Sequence, residues 1–368
     1  MDCPQPSAHN WIHALRASKA DRVVWVHERD LQAELLDECR EALEAECGGL
    51  AGECGIEGGE SVKTWAEIDN MLARFRDWGV TRASVVVTTG GGALSDAVGF
   101  AASIWKRGLH VIHMPTTPLA AVDAAWGGKT GINWGGSKNQ LGTFASPLAV
   151  HIDVRWMQTL PQRDFYAGLA EVAKHAMLDG NAFELCGVKL PPWPTTEDGH
   201  EPWTRLLTQS SQVKQQIVSA DPEERGERCI LNLGHTLGHA IEACTALSPE
   251  PWLHGEAVAL GLHFALFEMS HPSLTTRPAS NHARDQAGQM TRWLHDHVPV
   301  PRNWPFDAQQ LWSHMVHDKK NVGDEIRDVA WRGVGHVVWP VHWKKDSFEA
   351  TWQAFVRSWN SAHHDTSN

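Results

Sequence analysis

Ser84–Trp105 reads SVVVTTGGGALSDAVGFAASIW: a β-branched run, three consecutive glycines, then a stretch with helical character. A short apolar β-branched run ending in a turn signal fits a strand, and the segment from Ala93 to Trp105 fits a helix. Working outward, Arg22–His27 (RVVWVH) and His110–Met114 (HVIHM) repeat the strand pattern. Charged helical stretches at Leu31–Glu46 and Thr64–Trp78 separate the first strand from SVVVTT. This alternation predicts a mostly parallel sheet covered by helices, whose ligand binds beyond the carboxyl ends of the strands.

Gly90-Gly91-Gly92 lies where strand passes into helix, and residues without side chains there let a pyrophosphate approach the amides of a helix N-terminus. It is not a GxGxxG fingerprint, and a triple glycine serves equally as a tight turn. Asp96, in the first helical turn, can simply complement the helix dipole. The following segment, Pro115–Phe144 (PTTPLAAVDAAWGGKTGINWGGSKNQLGTF), has no regular periodicity and reads as a ligand-lining loop. Lys129, Lys138 and Asn139 in it offer ammonium and amide donors to a phosphate, although each lysine alone also reads as a solvated surface charge.

From about Pro161 the pattern turns helical, over Asp164–Leu178, Trp203–Ser219, Leu231–Ala246 and His254–Met269, with surface loops at Lys189–Pro202 and Ser270–Ser280. We divide the chain into an α/β nucleotide-binding domain, residues 1–155, and a helical domain, residues 156–368. Three fragments of the second half look like a divalent-metal site: Glu171 in AGLAEVAKH, His235 and His239 in NLGHTLGHA, and His254 in LHGEAVALG. A lone HxxxH is often two polar residues on a helix face, but the neighbouring His254–Glu256 pair strengthens the pattern. Two imidazoles and one carboxylate would leave a coordination position open for a substrate oxygen.

A chain of 368 residues exceeds what one core comfortably serves, which agrees with two domains. No apolar run is long enough to cross a bilayer and MDCPQPSAHNW has no leader pattern, so no membrane partner and a cytoplasmic location are expected. Seven cysteines, irregularly spaced and without CxxC, read as reduced thiols. A formal charge of −12 argues against nucleic acid, while the lysines and arginines gathered in the middle suggest a small anionic ligand. Nineteen tryptophans stand against one tyrosine, Tyr166, and are read as packing residues.

The ordered set GGGALSDAVGF, KRG at Lys106–Gly108, PTT, VDAAWGGKT, KNQLGTF, TLP, AEVAK, LNLGHTLGHAIE and LHGEAVA resembles the 3-dehydroquinate synthase family of sugar-phosphate cyclases, from about Gly59 to Gly335. The resemblance implies an N-terminal Rossmann-like nucleotide-binding domain and a C-terminal α-helical metal-binding domain, acting as a homodimer. It implies Glu171, His235 and His254 as ligands of zinc (or cobalt), with His239 facing substrate phosphate instead. NAD would be held by Glu60, Lys63, Gly91, Gly92, Asp96, Thr116, Thr117, Lys138 and Thr159. Substrate would meet Asp123, Lys129, Asn139, Lys174, Lys214, Arg228, Asn232 and one of Lys319 and Lys320, with Arg107 reaching across a dimer interface.

The implied substrate is a small anionic sugar-acid phosphate, 3-deoxy-D-arabino-heptulosonate 7-phosphate. The implied chemistry is transient oxidation by NAD, β-elimination of phosphate, re-reduction and aldol closure to a carbocycle in aromatic amino-acid biosynthesis. Arg228, Asn232 and Lys214 suit a substrate carboxylate, which counts against a cyclase of secondary metabolism, while the cluster of phosphate-binding lysines counts against a metal-dependent polyol dehydrogenase. The chain departs from the family in three places. His27, followed by Glu28, stands where an acidic residue often meets the adenosine ribose, Ser95 replaces a glycine, and Ala124, Ala125 and Trp126 replace smaller or polar residues beside the nicotinamide.

Overall fold

Five parallel strands, joined in one sheet, carry the first half of the chain. The structure, a computed structural model, describes residues 11–179, 190, 197–271, 280–302, 304–317 and 326–364. In chain order its first part runs α1 (Trp11–Ser18), β1 (Val23–Glu28), α2 (Ala33–Cys47), β2 (Gly52–Ile56), α3 (Trp65–Asp77), β3 (Val85–Gly90), α4 (Gly92–Ile104), β4 (His110–Pro115), α5 (Pro118–Val122), β5 (Lys129–Trp134), β6 (Ser137–Phe144) and β7 (Ala149–Val150). The remainder runs α6 (Gln162–Ala167), α7 (Leu169–Leu178), α8 (Glu197–Ala220), α9 (His235–Thr245), α10 (His254–Ser270), α11 (Asn281–His297), α12 (Ala308–Met315), β8 (Ile326–Gly333), β9 (His336–Trp343) and α13 (Lys345–His364).

Strand side chains alternate between faces, and both faces are covered here. Val24, Val26 and Val86 join Ile68, Phe75, Leu94 and Val98 in one core, whereas Val23, Trp25, Val85 and Val87 join Leu36, Leu43, Ile112 and Trp156 in the other. The strands read from β-branched runs are present within a residue or two of their expected ends. Strand order reverses at β1: the next strand in sequence pairs on one side and β3 on the other, so the carboxyl ends of β1 and β3 form the switch point where such sheets bind ligands.

Pro115–Phe144 is not the irregular loop its sequence suggested. It contains α5, a short turn over Ala124–Trp126 and an antiparallel hairpin of β5 and β6. Gly135 and Gly136 close that hairpin with φ of +58° and +80°, a two-residue connection that needs left-handed backbone at both positions.

The chain forms two compact units: the described residues within Met1–Phe165 and Lys189–Glu224, and those within Tyr166–Val188 and Arg225–Asn368. The division drawn at residue 155 therefore differs from the observed one, because α8 packs on α5 of the first unit. In the second unit α7 is buried along its whole length and α10 along most of it. Glycines let α10 approach the chain just before α7 and the start of α9: a Cβ on Gly255 would lie 1.8 Å from the Ala167 carbonyl oxygen, and one on Gly261 would lie 2.0 Å from that of Gly234. Among its described residues this unit has one strand pair, the β8–β9 hairpin, which helical periodicity did not reveal. Many of the tryptophans find their place here. Trp304, Trp343, Trp352 and Trp359 pack with Phe264, Phe306, Phe348 and Phe355 into one aromatic core.

Candidate metal centre and nucleotide-binding turn

Glu171 lies in the first turn of α7, and His235 and His254 are the first residues of α9 and α10. Their ligand atoms all lie within 4.8 Å of one another. Nε2 of His235 is 3.3 Å and Nε2 of His254 is 3.7 Å from Oε1 of Glu171, which is fully buried. The other ring nitrogens face acceptors: Nδ1 of His235 is 3.1 Å from the Leu233 carbonyl and Nδ1 of His254 is 2.9 Å from Oε2 of Glu242. An acceptor behind each Nδ1 fixes a hydrogen there and turns Nε2 toward the carboxylate, where it can ligate a metal that displaces any proton it carries. Among the described residues Oε1 of Glu171 accepts no hydrogen bond, while Oε2 is ion-paired with the Lys174 ammonium. Inward-facing ring nitrogens around a buried carboxylate fit a divalent cation, with two N donors and one O donor and a position left for substrate.

Electrostatics favour the deprotonated donor at Glu171 and His235, whereas His254 holds its proton until a cation displaces it. Burial would push the Glu171 carboxyl up, but the Lys174 ammonium beside it, followed by His235, holds it well below the usual carboxylate range. Burial and the same ammonium lower His235 to about 4. Burial also disfavours charge on His254, yet the carboxylates of Glu242 and Glu171 outweigh it and raise that ring to about 10.

His239 stays outside the triad, exposed one turn along α9, with its ring centre 5.4 Å from that of His235 and 6.3 Å from that of His254. Glu256 is not the partner of His254 that the sequence suggested. Its Oε2 accepts the Leu253 amide at 2.8 Å and caps α10, while Glu242 takes the place beside the imidazole. Lys174 is buried against Glu171. Arg228 is buried on the turn Glu227–Asn232, where the Asn232 amide donates to the Cys229 carbonyl at 3.1 Å. Lys319 and Lys320 lie outside the described residues.

In the first unit, Gly91 follows β3 and Gly92 opens α4. The Gly91 amide donates to Oε1 of Glu28 at 3.0 Å, and the Thr116 hydroxyl lies 3.5 Å from its other oxygen. Burial raises the Glu28 carboxyl despite these two donors. His27 points elsewhere, with Nε2 3.3 Å from Glu53. Thr117 caps α5 by accepting the Ala120 amide at 3.1 Å.

Lys63 ties Asp96, at 2.7 Å, to Asn139, whose backbone is left-handed with φ of +53°. Burial pushes Asp96 up, against the Lys63 ammonium. Asn133, which sequence reasoning passed over, completes this group: its amide donates to Glu60 at 2.8 Å and its oxygen accepts the Asn139 amide at 2.9 Å. Lys214 pairs with Asp123 at 2.5 Å, and Lys129 pairs with Glu224. Lys138, Thr159 and Arg107 are exposed, and Arg107 has a φ of +72°. Trp126 is buried, with its indole N–H on the Ala121 carbonyl at 2.7 Å.

Comparison with known proteins adds the family. The model for the 3-dehydroquinate synthase N-terminal domain matches residues 53–167, and that for the C-terminal domain matches residues 168–321. A 3-dehydroquinate synthase of Cereibacter sphaeroides is 37% identical over 302 residues, covering 82% of this chain and 80% of that protein. Among solved structures, 2-deoxy-scyllo-inosose synthase complexed with carbaglucose-6-phosphate, NAD+ and Co2+ is similar with a TM-score of 0.75 at 22% identity, covering 94% of this chain and 95% of that one. The 2-epi-5-epi-valiolone synthase of Streptomyces hygroscopicus, with NAD+ and Zn2+ bound, has a TM-score of 0.73 at 24% identity, covering 93% and 92%. At those identities the two structures speak for the fold, whereas the family models and the sequence relative carry the assignment: the chain belongs to the 3-dehydroquinate synthase family.

Proposed function

We propose that this chain is a 3-dehydroquinate synthase, converting 3-deoxy-D-arabino-heptulosonate 7-phosphate to 3-dehydroquinate and inorganic phosphate. The observation that carries the reading is the match of both family domains to a chain that brings Glu171, His235 and His254 together. When bound, NAD supplies a hydride acceptor that gives the hydride back within the turnover, and zinc supplies Lewis acidity at the substrate carbinol.

The chain's own residues bind and orient. Glu171, His235 and His254 hold the metal. Glu60, Lys63, Gly91, Gly92, Asp96, Thr116, Thr117, Lys138 and Thr159 serve the dinucleotide. A phosphate needs several charge-assisted donors, the role of Lys129, Asn139, His239 and Arg107. The planar guanidinium of Arg228 suits the substrate carboxylate, with Asn232 and Lys214 in support. Asp123 and Lys174 orient hydroxyls and carry protons, and the departing phosphate serves as its own base at the neighbouring carbon. The reading extends to a cytoplasmic homodimer in aromatic amino-acid biosynthesis. No helix among the described residues is long and apolar enough to cross a membrane.

The test is incubation of the zinc-loaded protein with the heptulosonate phosphate and catalytic NAD, following phosphate, NADH and cyclic product together. Equal yields of phosphate and dehydroquinate without net NADH are expected. Stoichiometric NADH would indicate a dehydrogenase. Turnover of a sugar phosphate without the carboxylate, in preference to the heptulosonate, would indicate another cyclase.

A further inference from the structure

We propose that Asp328, on the β8–β9 hairpin, is a positioning residue for the metal centre, acting through Thr236 on the helix start that presents His235. The inference rests on the reading of Glu171, His235 and His254 as metal ligands, and it concerns a segment beyond residue 321, where the family match ends.

The N-terminus of α9 has no side-chain cap of its own: Gly234 stands at that position with φ of +76°. Its fixation comes from the hairpin instead. The Thr236 hydroxyl, on a residue 1% exposed, donates to Oδ1 of Asp328 at 2.6 Å, a charge-assisted bond from the residue next to His235. Asp328 is held in turn, its Oδ1 accepting the Val329 amide at 2.8 Å and its Oδ2 the Trp343 indole N–H at 2.9 Å.

The same hairpin also grips α7, which carries Glu171. The Met177 carbonyl accepts the Trp331 indole N–H and the Gly335 amide, each at 3.1 Å. Two of the three helices that carry the candidate ligands are thus attached to one hairpin, by hydrogen bonds that are buried at Trp331 and part-buried at Asp328. Hydrogen-bond partners of a metal ligand commonly change metal affinity about tenfold to a hundredfold by fixing where the ligand atoms point, and a contact on the residue next to the ligand acts on the same orientation through the helix start.

The experiment compares the parent with Thr236→Val, which keeps the shape and loses the hydroxyl, Thr236→Ser, which keeps the hydroxyl, Asp328→Asn, and Glu171→Ala as a control lacking a ligand. Zinc affinity is read by competition with a chromophoric chelator, and the Co2+-loaded proteins by their visible absorption. Thr236→Val and Asp328→Asn are expected to bind zinc about tenfold more weakly, the low end of the range for direct partners of a ligand, with an altered cobalt spectrum. Thr236→Ser should stay near the parent, and the metal-free proteins should melt within about 4 °C of one another, as for one lost hydrogen bond.

Parental affinity and spectrum in both Thr236→Val and Asp328→Asn would overturn the proposal. So would an equal loss in Thr236→Ser, or a drop in metal-free melting with zinc affinity unchanged, which marks a merely structural contact. If the parent binds zinc no better than Glu171→Ala, the metal assignment itself falls and this inference with it.

Discussion

His254 stands between two carboxylates with different duties, Glu171 on the metal side and Glu242 behind the ring. Glu242→Gln keeps a hydrogen-bond acceptor but removes the charge that orients the imidazole and raises its basicity. Zinc affinity should fall about tenfold to a hundredfold, measured by chelator competition. Arg228→Leu addresses substrate instead: loss of a charged hydrogen-bond donor, about 1.5–3 kcal/mol, should raise KM for the heptulosonate by about tenfold to a hundredfold. Zinc affinity of that variant should be unchanged, and unchanged kinetics would dispose of the carboxylate role. The residues of the Glu171–His235–His254 cluster were legible in the sequence, but Glu242 was passed over in favour of Glu256. The spacing held the missing signal, since Glu242 follows His235 by seven residues and His239 by three, on one face of α9. Glu256 misled because a carboxylate two residues from a histidine at a helix start is well placed to cap the helix.

At the scale of elements, the metal geometry depends on how closely helices approach. A methyl group at Gly255 would overlap the Ala167 carbonyl and force α10 away from the α6–α7 junction, moving His254 relative to Glu171. Gly255→Ala should therefore lower unfolding free energy by about 1–3 kcal/mol, read by urea denaturation, and weaken zinc binding as well. Normal stability together with normal zinc affinity would show that the junction accommodates the methyl. Strands β1, β3 and β4 were legible as β-branched runs buried on both sheet faces, α3 by its amphipathic periodicity, and α4 and α10 as apolar stretches too long for strands. The β5–β6 hairpin was hidden because β6 is largely exposed and its ligand-type residues carry no alternation, although Gly135-Gly136 is a two-residue hairpin signal. Pro340 interrupts the pattern of β9, and β8 mixes charged residues with apolar ones, so neither strand announced itself.

For the molecule as a whole, composition was a good guide to what is excluded and a poor one to where the units divide. Helical periodicity assigned α8 to the second half, but which unit a helix joins depends on the surface it buries, and α8 buries its apolar side on the first unit. Global stability also carries a term that no motif announces. His113 lies on β4 inside the sheet, 5% exposed, and Nδ1 has no hydrogen-bond partner among the described residues. Burial alone lowers this ring from 6.5 to about 4. The unfolded chain therefore takes up the proton first as pH falls. The contribution of the neutral ring is complete above pH 6.5 and is lost as pH falls toward 4, by up to about 3 kcal/mol. His113→Phe removes the titrating group at similar volume, so its unfolding free energy should fall less than the parent's between pH 7 and pH 4, by up to the same amount. Parallel pH profiles for the two proteins in urea titrations would show that the ring is solvated well enough to be charged in the folded state.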